Sequence, residues 1–360
     1  AGEFIDANTV KAGDYEIKAR RFVISTGSSA FVPPFPGLED VPYLTKESLW
    51  EQTRKPGHLI IIGGGPIGME MAQAHIRLGS KVTVLEGMKV FGKDDPELVA
   101  LLVERLEAEG IDIREGAQVQ RVEKRGKTGV KVIAKVGEDE IEVDGTHVLI
   151  ATGRAPNVEG LGLDKAGIEY DRRGIKVNKK MFTSNKHVLA IGDVAGSLQF
   201  THMAGYHAGL AIRNILFRMG AKENVEIIPW ATYTDPEIAH VGLNEEQARE
   251  RHKDIQILRF PYSENDRAIA ERKTTGLIKL MATKKGVVVG ASIVGAGAGE
   301  MINMWALAVT KKLKLGDITA YVPPYPTMSE IGRRAAVTSF APATKKPIVR
   351  KVIGLLRRFG

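Results

Sequence analysis

The stretch His58-Leu59-Ile60-Ile61-Ile62-Gly63-Gly64-Gly65-Pro66-Ile67-Gly68-Met69-Glu70 constrains this chain more than any other. A run of long and branched apolar residues reads as a buried strand. Gly63, Gly65 and Gly68 then fit G-x-G-x-x-G, with Ile67 inside the loop, and a helix-period run follows from Met69 to Leu78. In such a loop the first glycine makes the tight turn, the second lets backbone approach a pyrophosphate, and the third lets helix and strand pack closely. The helix N-terminus adds unpaired N–H groups and a positive dipole end. Glycine-rich loops are common, so context decides. The next strand, Lys81 to Leu85, ends in Glu86, about 20 residues on, where a carboxylate takes ribose hydroxyls. Glu86 would repel a 2′-phosphate and no Arg follows immediately, which favours NAD over NADP.

Bulk properties narrow the remaining choices. A chain of 360 residues is long enough for two or three domains. Its 51 basic residues are offset by 43 acidic ones, and six of the basic ones fall in the last 16 residues without an acid. The net charge of +8 is thus partly a property of the tail and gives nucleic-acid binding little support. Cysteine is absent, which excludes disulfides, thiolate metal sites and a thiol redox centre within these residues. No apolar run approaches the roughly 20 residues needed to span a bilayer, nothing resembles a secretory signal, and the expected location is cytoplasmic.

Along the chain, Phe4 to Val10, Tyr15 to Ala19 and Arg21 to Ser25 read as strands, the last ending in Thr26-Gly27-Ser28. Residues 1–54 read as the closing part of a domain whose start lies outside these residues. Residues 55–153 read as a complete dinucleotide-binding domain. It carries a helix from Pro96 to Leu106 stopped by Gly110, and a meander around Gln118–Val122, Val130–Ala134 and Glu138–Val143. A buried strand from Thr146 to Ala151 closes it, ending in Thr152-Gly153-Arg154. The two small-Thr-Gly strand ends suggest an internal repeat of α/β units. Residues 154–224 contain Val188-Leu189-Ala190-Ile191-Gly192-Asp193 and a helix from about His202 to Met219. From about Val225 to residue 340 an α+β domain follows. Its expected strands are Ile227–Tyr233, Ile255–Phe260, Leu277–Met281 and Val287–Val294, and its expected helices are Gln247–His252 and Glu300–Lys312.

Taken in order, these features resemble the flavin-dependent pyridine nucleotide-disulfide oxidoreductases, the group of dihydrolipoamide dehydrogenase, glutathione reductase, mercuric reductase and soluble transhydrogenase. The matching residues are Thr26-Gly27-Ser28, Gly63–Glu70 with Glu86, Ala151–Arg154, Gly192-Asp193, Thr234–Ala239 with Val241-Gly242, and Pro326–Glu330. The resemblance implies an α/β fold class with tandem Rossmann-like FAD and NAD(P) domains, the FAD domain incomplete here, and an α+β interface domain that builds a homodimer. It implies that Asp193, beside Gly192, hydrogen-bonds the flavin ribitol and that Thr26 and Gly27 lie near the FAD backbone. Gln199, Phe200, Thr201 and His202 would lie beside the isoalloxazine ring. Val119 and Gly153 would line the NAD site, with Glu70 close to the nicotinamide.

Two departures bear on chemistry. The family's FAD-adenosine glycine loop and, in its disulfide enzymes, a redox cysteine pair precede the point where this sequence begins. Where the disulfide reductases carry a His before Pro-Thr, paired with a Glu, this chain has Tyr325 and Glu330. Tyrosine, with an ordinary pKa near 10, is a poor proton acceptor at neutral pH, and Tyr here resembles soluble transhydrogenase and mercuric reductase. The C-terminal cysteine pair usual in mercuric reductase is absent, which disfavours mercury reduction of that kind. Expected function is therefore hydride transfer from NADH through FAD to a disulfide or other small acceptor. The alternatives are a transhydrogenase-like enzyme without a redox disulfide, or a non-catalytic NAD-binding and dimerisation module.

Residues 341–360 form a basic amphipathic tail. Ile348, Val352, Leu355, Leu356 and Phe359 fall on one helical face, and Arg350, Lys351, Arg357 and Arg358 mostly on the other. Such a helix can lie on an anionic membrane surface. Its short length and Gly354, which costs about 1 kcal/mol in a helix, favour packing against its own dimer instead.

Overall fold

A computed structural model describes residues 2–127, 129–344 and 346–359. They divide into two compact units, residues 1–53 with 148–225 and residues 54–147 with 226–360.

The first unit opens with an antiparallel sheet of Gly2–Asp6, Thr9–Ala12 and Tyr15–Lys18. The single strand expected from Phe4 to Val10 is two strands. Asn8 donates its backbone N–H to Asp6 Oδ1 at 2.7 Å, and this Asx-type turn reverses the chain. Phe22–Ile24 pairs in parallel with Val188–Ala190, and Tyr43–Leu44 pairs in parallel with Val148 and Leu149. Both small-Thr-Gly segments thus follow strands in parallel pairings. Gly27 and Gly153 both hold positive φ, 70° and 141°, which L side chains rarely adopt. Phe4, Ile24, Leu163, Ile168, Val188 and Val194 make the core. The helix Thr201–Ile215 is shorter than expected. It ends before Arg218, which takes a left-handed φ of 53°.

In the second unit, His58–Ile62, Lys81–Glu86 and Asp112–Glu115 form a parallel run in register His58 to Lys81 and Thr83 to Asp112. The helices Pro66–Arg77 and Pro96–Ala108 each begin with proline, whose missing N–H has no intrahelical partner to lose there. Asp95 caps the second helix by accepting from Glu97 N–H at 3.0 Å. Leu98, Leu102 and Leu106, each one turn apart, are fully buried. The meander Ala117–Arg125, Gly129–Val136 and Asp139–Gly145 is antiparallel as expected.

The α+β part holds a five-stranded antiparallel sheet in the order Trp230–Thr232, Glu237–Gly242, Val288–Gly295, Leu277–Thr283, Ile255–Pro261. The helices Ala298–Lys311 and Glu330–Thr338 also belong to it. Its core is built round Trp305 and Tyr262. Lys279, with a side chain only 4% exposed, sits at 2.8 Å from Asp95, 2.9 Å from Glu97 and 2.6 Å from Glu245. Arg259 bonds both glutamates. A buried ammonium is tolerable only when paired and hydrogen-bonded, so this cluster pins the start of helix Pro96–Ala108 to the antiparallel sheet. Among the described residues no helix is long and apolar enough to cross a membrane.

Candidate dinucleotide sites

The Gly63–Gly68 loop shows what each glycine does. Gly63 donates to Leu85 O at 2.9 Å with φ of 114°, turning the chain out of the sheet. A Cβ on Gly68 would lie 2.0 Å from Gly63 O, and one on Gly64 2.5 Å from Val90. Both positions are closed to a side chain by packing. Gly65 is different, because nothing lies within 4 Å of its Cβ position. That is the open approach a pyrophosphate needs, and the helix behind it has no acid in its first turn to cancel the dipole. Ile67 lies in that first turn. Glu86 Oε2 accepts from Gly64 N–H at 2.7 Å and Oε1 from Met88 N–H at 2.9 Å. The carboxylate expected to meet a ribose is thus held at the loop by two backbone donors. These features fit a dinucleotide.

Glu70, on the helix that follows the glycine loop, is held by a backbone donor. Its Oε1 accepts from Tyr233 N–H at 2.8 Å, and burial pushes its carboxyl above the ordinary range against that hydrogen bond. The next turn continues the grip. Gln73 accepts from Asp235 N–H at 2.7 Å and donates to Asp235 O at 2.8 Å, while Arg77 bonds Asp235 Oδ2 at 2.9 Å. Glu70 and Gln73 therefore hold the Tyr233–Asp235 segment. Val119 lies at a β-bulge, where the register shifts between Val119 and Arg121, a device that re-aims side chains.

In the first unit, Asp193 lies in a short 3-10 turn, Gly192–Ala195, that begins with Gly192 at φ 70°. Its Oδ2 accepts from Ser28 Oγ at 2.5 Å, with Arg154 Nε at 3.5 Å. A carboxylate aligned this way and only 18% exposed suits the hydroxyls of a ribityl chain, so these residues fit a flavin. Thr26 Oγ1 donates to Asn157 O at 2.8 Å, and Asn157 Nδ2 returns a bond to Thr26 O at 2.9 Å. Gly27 O accepts from Asn157 N–H, and Gly153 O accepts from Phe31 N–H. Gln199 and Phe200 lead into the helix that Thr201 starts, and the rings of Phe200 and His202 stack at 5.2 Å.

Sequence reasoning missed the support beneath Asp193. Gly192 N–H donates to His207 Nδ1 at 3.1 Å, and His207 Nε2 lies 2.8 Å from Glu223 Oε1. With Nδ1 accepting, Nε2 carries the proton and donates to Glu223. A histidine inside the helix that follows the strand motif, 14 residues after Asp193, was the available signal.

Tyr325 and Glu330 were expected as the catalytic pair. Tyr325 is 70% exposed, and its phenol is raised above the ordinary range chiefly by a hydrogen bond to Asp266, with Glu330 a lesser influence. Glu330 opens the helix Glu330–Thr338, and its Oε2 is buried without a hydrogen-bond partner among the described residues. Asp266, a partner unseen in the sequence, is therefore the group nearest in effect to Tyr325.

Comparison with known proteins bears on these sites. Residues 1–208 match the family described as pyridine nucleotide-disulphide oxidoreductase, and residues 228–336 match its dimerisation domain. The mercuric reductase of Bacillus cereus is 38% identical over 341 residues, covering 94% of this chain and 54% of that protein. A dihydrolipoyl dehydrogenase of Bacillus subtilis is 32% identical over 324 residues, covering 89% of this chain and 70% of that protein. The Escherichia coli RclA structure, an HOCl-induced flavoprotein disulfide reductase, is similar with a TM-score of 0.84 at 30% identity, covering 91% of this chain and 76% of that one. This chain spans only 54–62% of the length of the mercuric reductases of Bacillus cereus, Lysinibacillus sphaericus and Staphylococcus aureus. With two successive domain matches and these relatives, the chain belongs to the pyridine nucleotide-disulphide oxidoreductases.

Proposed function

We propose that the chain provides the NAD(H)-binding, flavin-contacting and dimerisation parts of a cytoplasmic homodimeric oxidoreductase. In this reading reducing equivalents pass from NADH by way of FAD to a disulfide or another small acceptor. The observation that carries it is the open approach at Gly65 beside the backbone-held carboxylate of Glu86. Loop N–H groups would hold the pyrophosphate, and Glu86 would accept from the adenosine ribose and repel a 2′-phosphate. Asp193, aligned by Ser28 and Arg154, would accept from ribityl hydroxyls, with Thr26, Gly27 and Gly192 forming the adjoining backbone. Glu70 would act at the nicotinamide end by holding Tyr233. When bound, the flavin supplies the two-electron chemistry between nicotinamide and acceptor.

The Tyr325 hydroxyl, protonated at neutral pH and hydrogen-bonded to Asp266, would serve as a proton donor, paired with Glu330, whose Oε2 is buried. These residues contain no cysteine, so any thiolate facing the acceptor would come from outside them, and acceptors that need no thiol remain within the reading.

An absorbance spectrum of the purified chain tests this. A yellow protein bleached by NADH is expected. A colourless protein that still binds NADH would replace the reading with that of a nucleotide-binding and dimerisation module.

A further inference from the structure

The tail folds as the helix Pro347–Leu356, with no residue buried against the rest of its chain. At about 100° per residue, Leu355, Ile348, Val352 and Leu356 fall within an arc of about 100° of the helix. Arg350 and Lys351 lie on the other side, and Arg357, Arg358 and Phe359 follow in the turn that closes it. Ile348 and Leu356 are 70% and 61% exposed, and Lys346 adds a further cation at the N-cap. The segment carries no acid. A sharply divided helix with cations on its polar side is the form that lies in a membrane interface, apolar residues among acyl chains and cations among headgroups.

We propose that this helix docks the protein on an anionic lipid surface as a peripheral contact. Charge decides the occupant. The chain itself carries +8, so a second copy offers no bulk negative potential to five cations. The exposed apolar cluster Leu216, Phe217 and Met219 is flanked by Arg213 and Arg218, so it too repels the tail. The match to the dimerisation domain ends at residue 336, before this helix begins, so the helix lies outside the matched segment. Anionic phospholipid supplies both the apolar phase and the opposite charge, and its pull falls off within a Debye length and weakens with salt.

Flotation of the full chain with vesicles tests this. Vesicles of mixed phosphatidylglycerol and phosphatidylcholine should carry the protein, pure phosphatidylcholine vesicles at least tenfold less, and added salt should release it. Reversing the polar side (Arg350→Glu, Lys351→Glu, Arg357→Glu and Arg358→Glu together) should abolish flotation while NADH binding and oligomeric mass stay unchanged. No flotation of the unaltered protein, or equal flotation of the reversed variant, overturns the proposal. A change of oligomeric mass in the reversed variant assigns the helix to a second copy instead. NADH binding is read in the same samples, so failure of the membrane contact is separable from failure of the catalytic reading.

Discussion

Glu86 Oε2 lies 2.7 Å from the backbone nitrogen of Gly64, so the carboxylate shapes the glycine loop and, in the proposed reading, also takes the ribose. Glu86→Ala removes both effects. NADH binding should fall by about tenfold or more, in line with the loss of charge-assisted hydrogen bonds, and NADPH binding should fall much less because a repulsive charge also disappears. Fluorescence titration of both nucleotides reads the ratio. Equal losses for the two would remove Glu86 as the discriminating residue.

Gly65 and Gly68 separate binding from folding. At Gly68 a methyl group meets Gly63 O at 2.0 Å, and that backbone atom cannot yield. Gly68→Ala should cost about 1–3 kcal/mol or more, as overpacking does. Gly65→Ala meets no neighbour and should leave stability within about 0.5 kcal/mol, yet weaken NADH binding strongly because its methyl fills the phosphate approach. Denaturant melts beside NADH titrations check both, and a stable, fully binding Gly65→Ala protein would contradict the assigned role.

The strand-loop-helix unit from His58 to Arg77 was legible because every signal in it is local, in apolar runs, glycine spacing and helical period. Asp112–Glu115 was not, since a four-residue strand with one apolar residue carries no readable alternation. Glu237–Gly242 was read as a motif although it is an interior strand of the antiparallel sheet. What sequence could not show were pairings between distant residues. Asp193 with Ser28, Gly192 with His207, and Tyr325 with Asp266 depend on topology that no short window contains.

Lys279 is the extreme case, a buried cation among Asp95, Glu97 and Glu245. Lys279→Met leaves the buried Asp95 without its cation, and Glu97 and Glu245 with Arg259 alone, and should destabilise by about 3–5 kcal/mol. Arg259 chiefly, with Lys279, holds the Glu97 carboxyl down to about 2 against its ordinary 4.5. A depressed carboxyl stabilises the fold above the unfolded pKa, so this contribution is lost as pH falls from about 4.5 to about 2. Denaturant melts across that range should show the lysine variant losing less on acidification than the parent protein. An unchanged acid slope would refute the assignment.

Asp94 runs in the opposite sense. Burial raises its carboxyl to about 6, despite the hydrogen bond from Trp230 Nε1 at 2.8 Å. A carboxyl with a raised folded pKa opposes folding above that value, and the penalty fades as pH falls from about 6 to about 3.8. Asp94→Asn keeps an acceptor for Trp230, so it should be more stable than the parent at pH 8, on the order of 2 kcal/mol. The advantage should disappear at acid pH. The difference in tryptophan emission between the two proteins should titrate near pH 6, and no pH dependence in that difference would count against the shift.

Tyr325 and Asp266 yield the prediction closest to the chemistry. Asp266 raises the phenol by hydrogen bonding and by its charge, favouring the protonated donor form. Asp266→Asn removes the charge, so the Tyr325 phenol should titrate at lower pH. The difference in tyrosinate absorbance between that variant and the Tyr325→Phe, Asp266→Asn double variant isolates it. If the hydroxyl delivers a proton during turnover, Tyr325→Phe slows the complete enzyme, and Asp266→Asn moves the alkaline limb of its pH–rate profile downward with the phenol. An unchanged rate in Tyr325→Phe would leave Tyr325 as a surface residue held by Asp266, with no part in proton delivery.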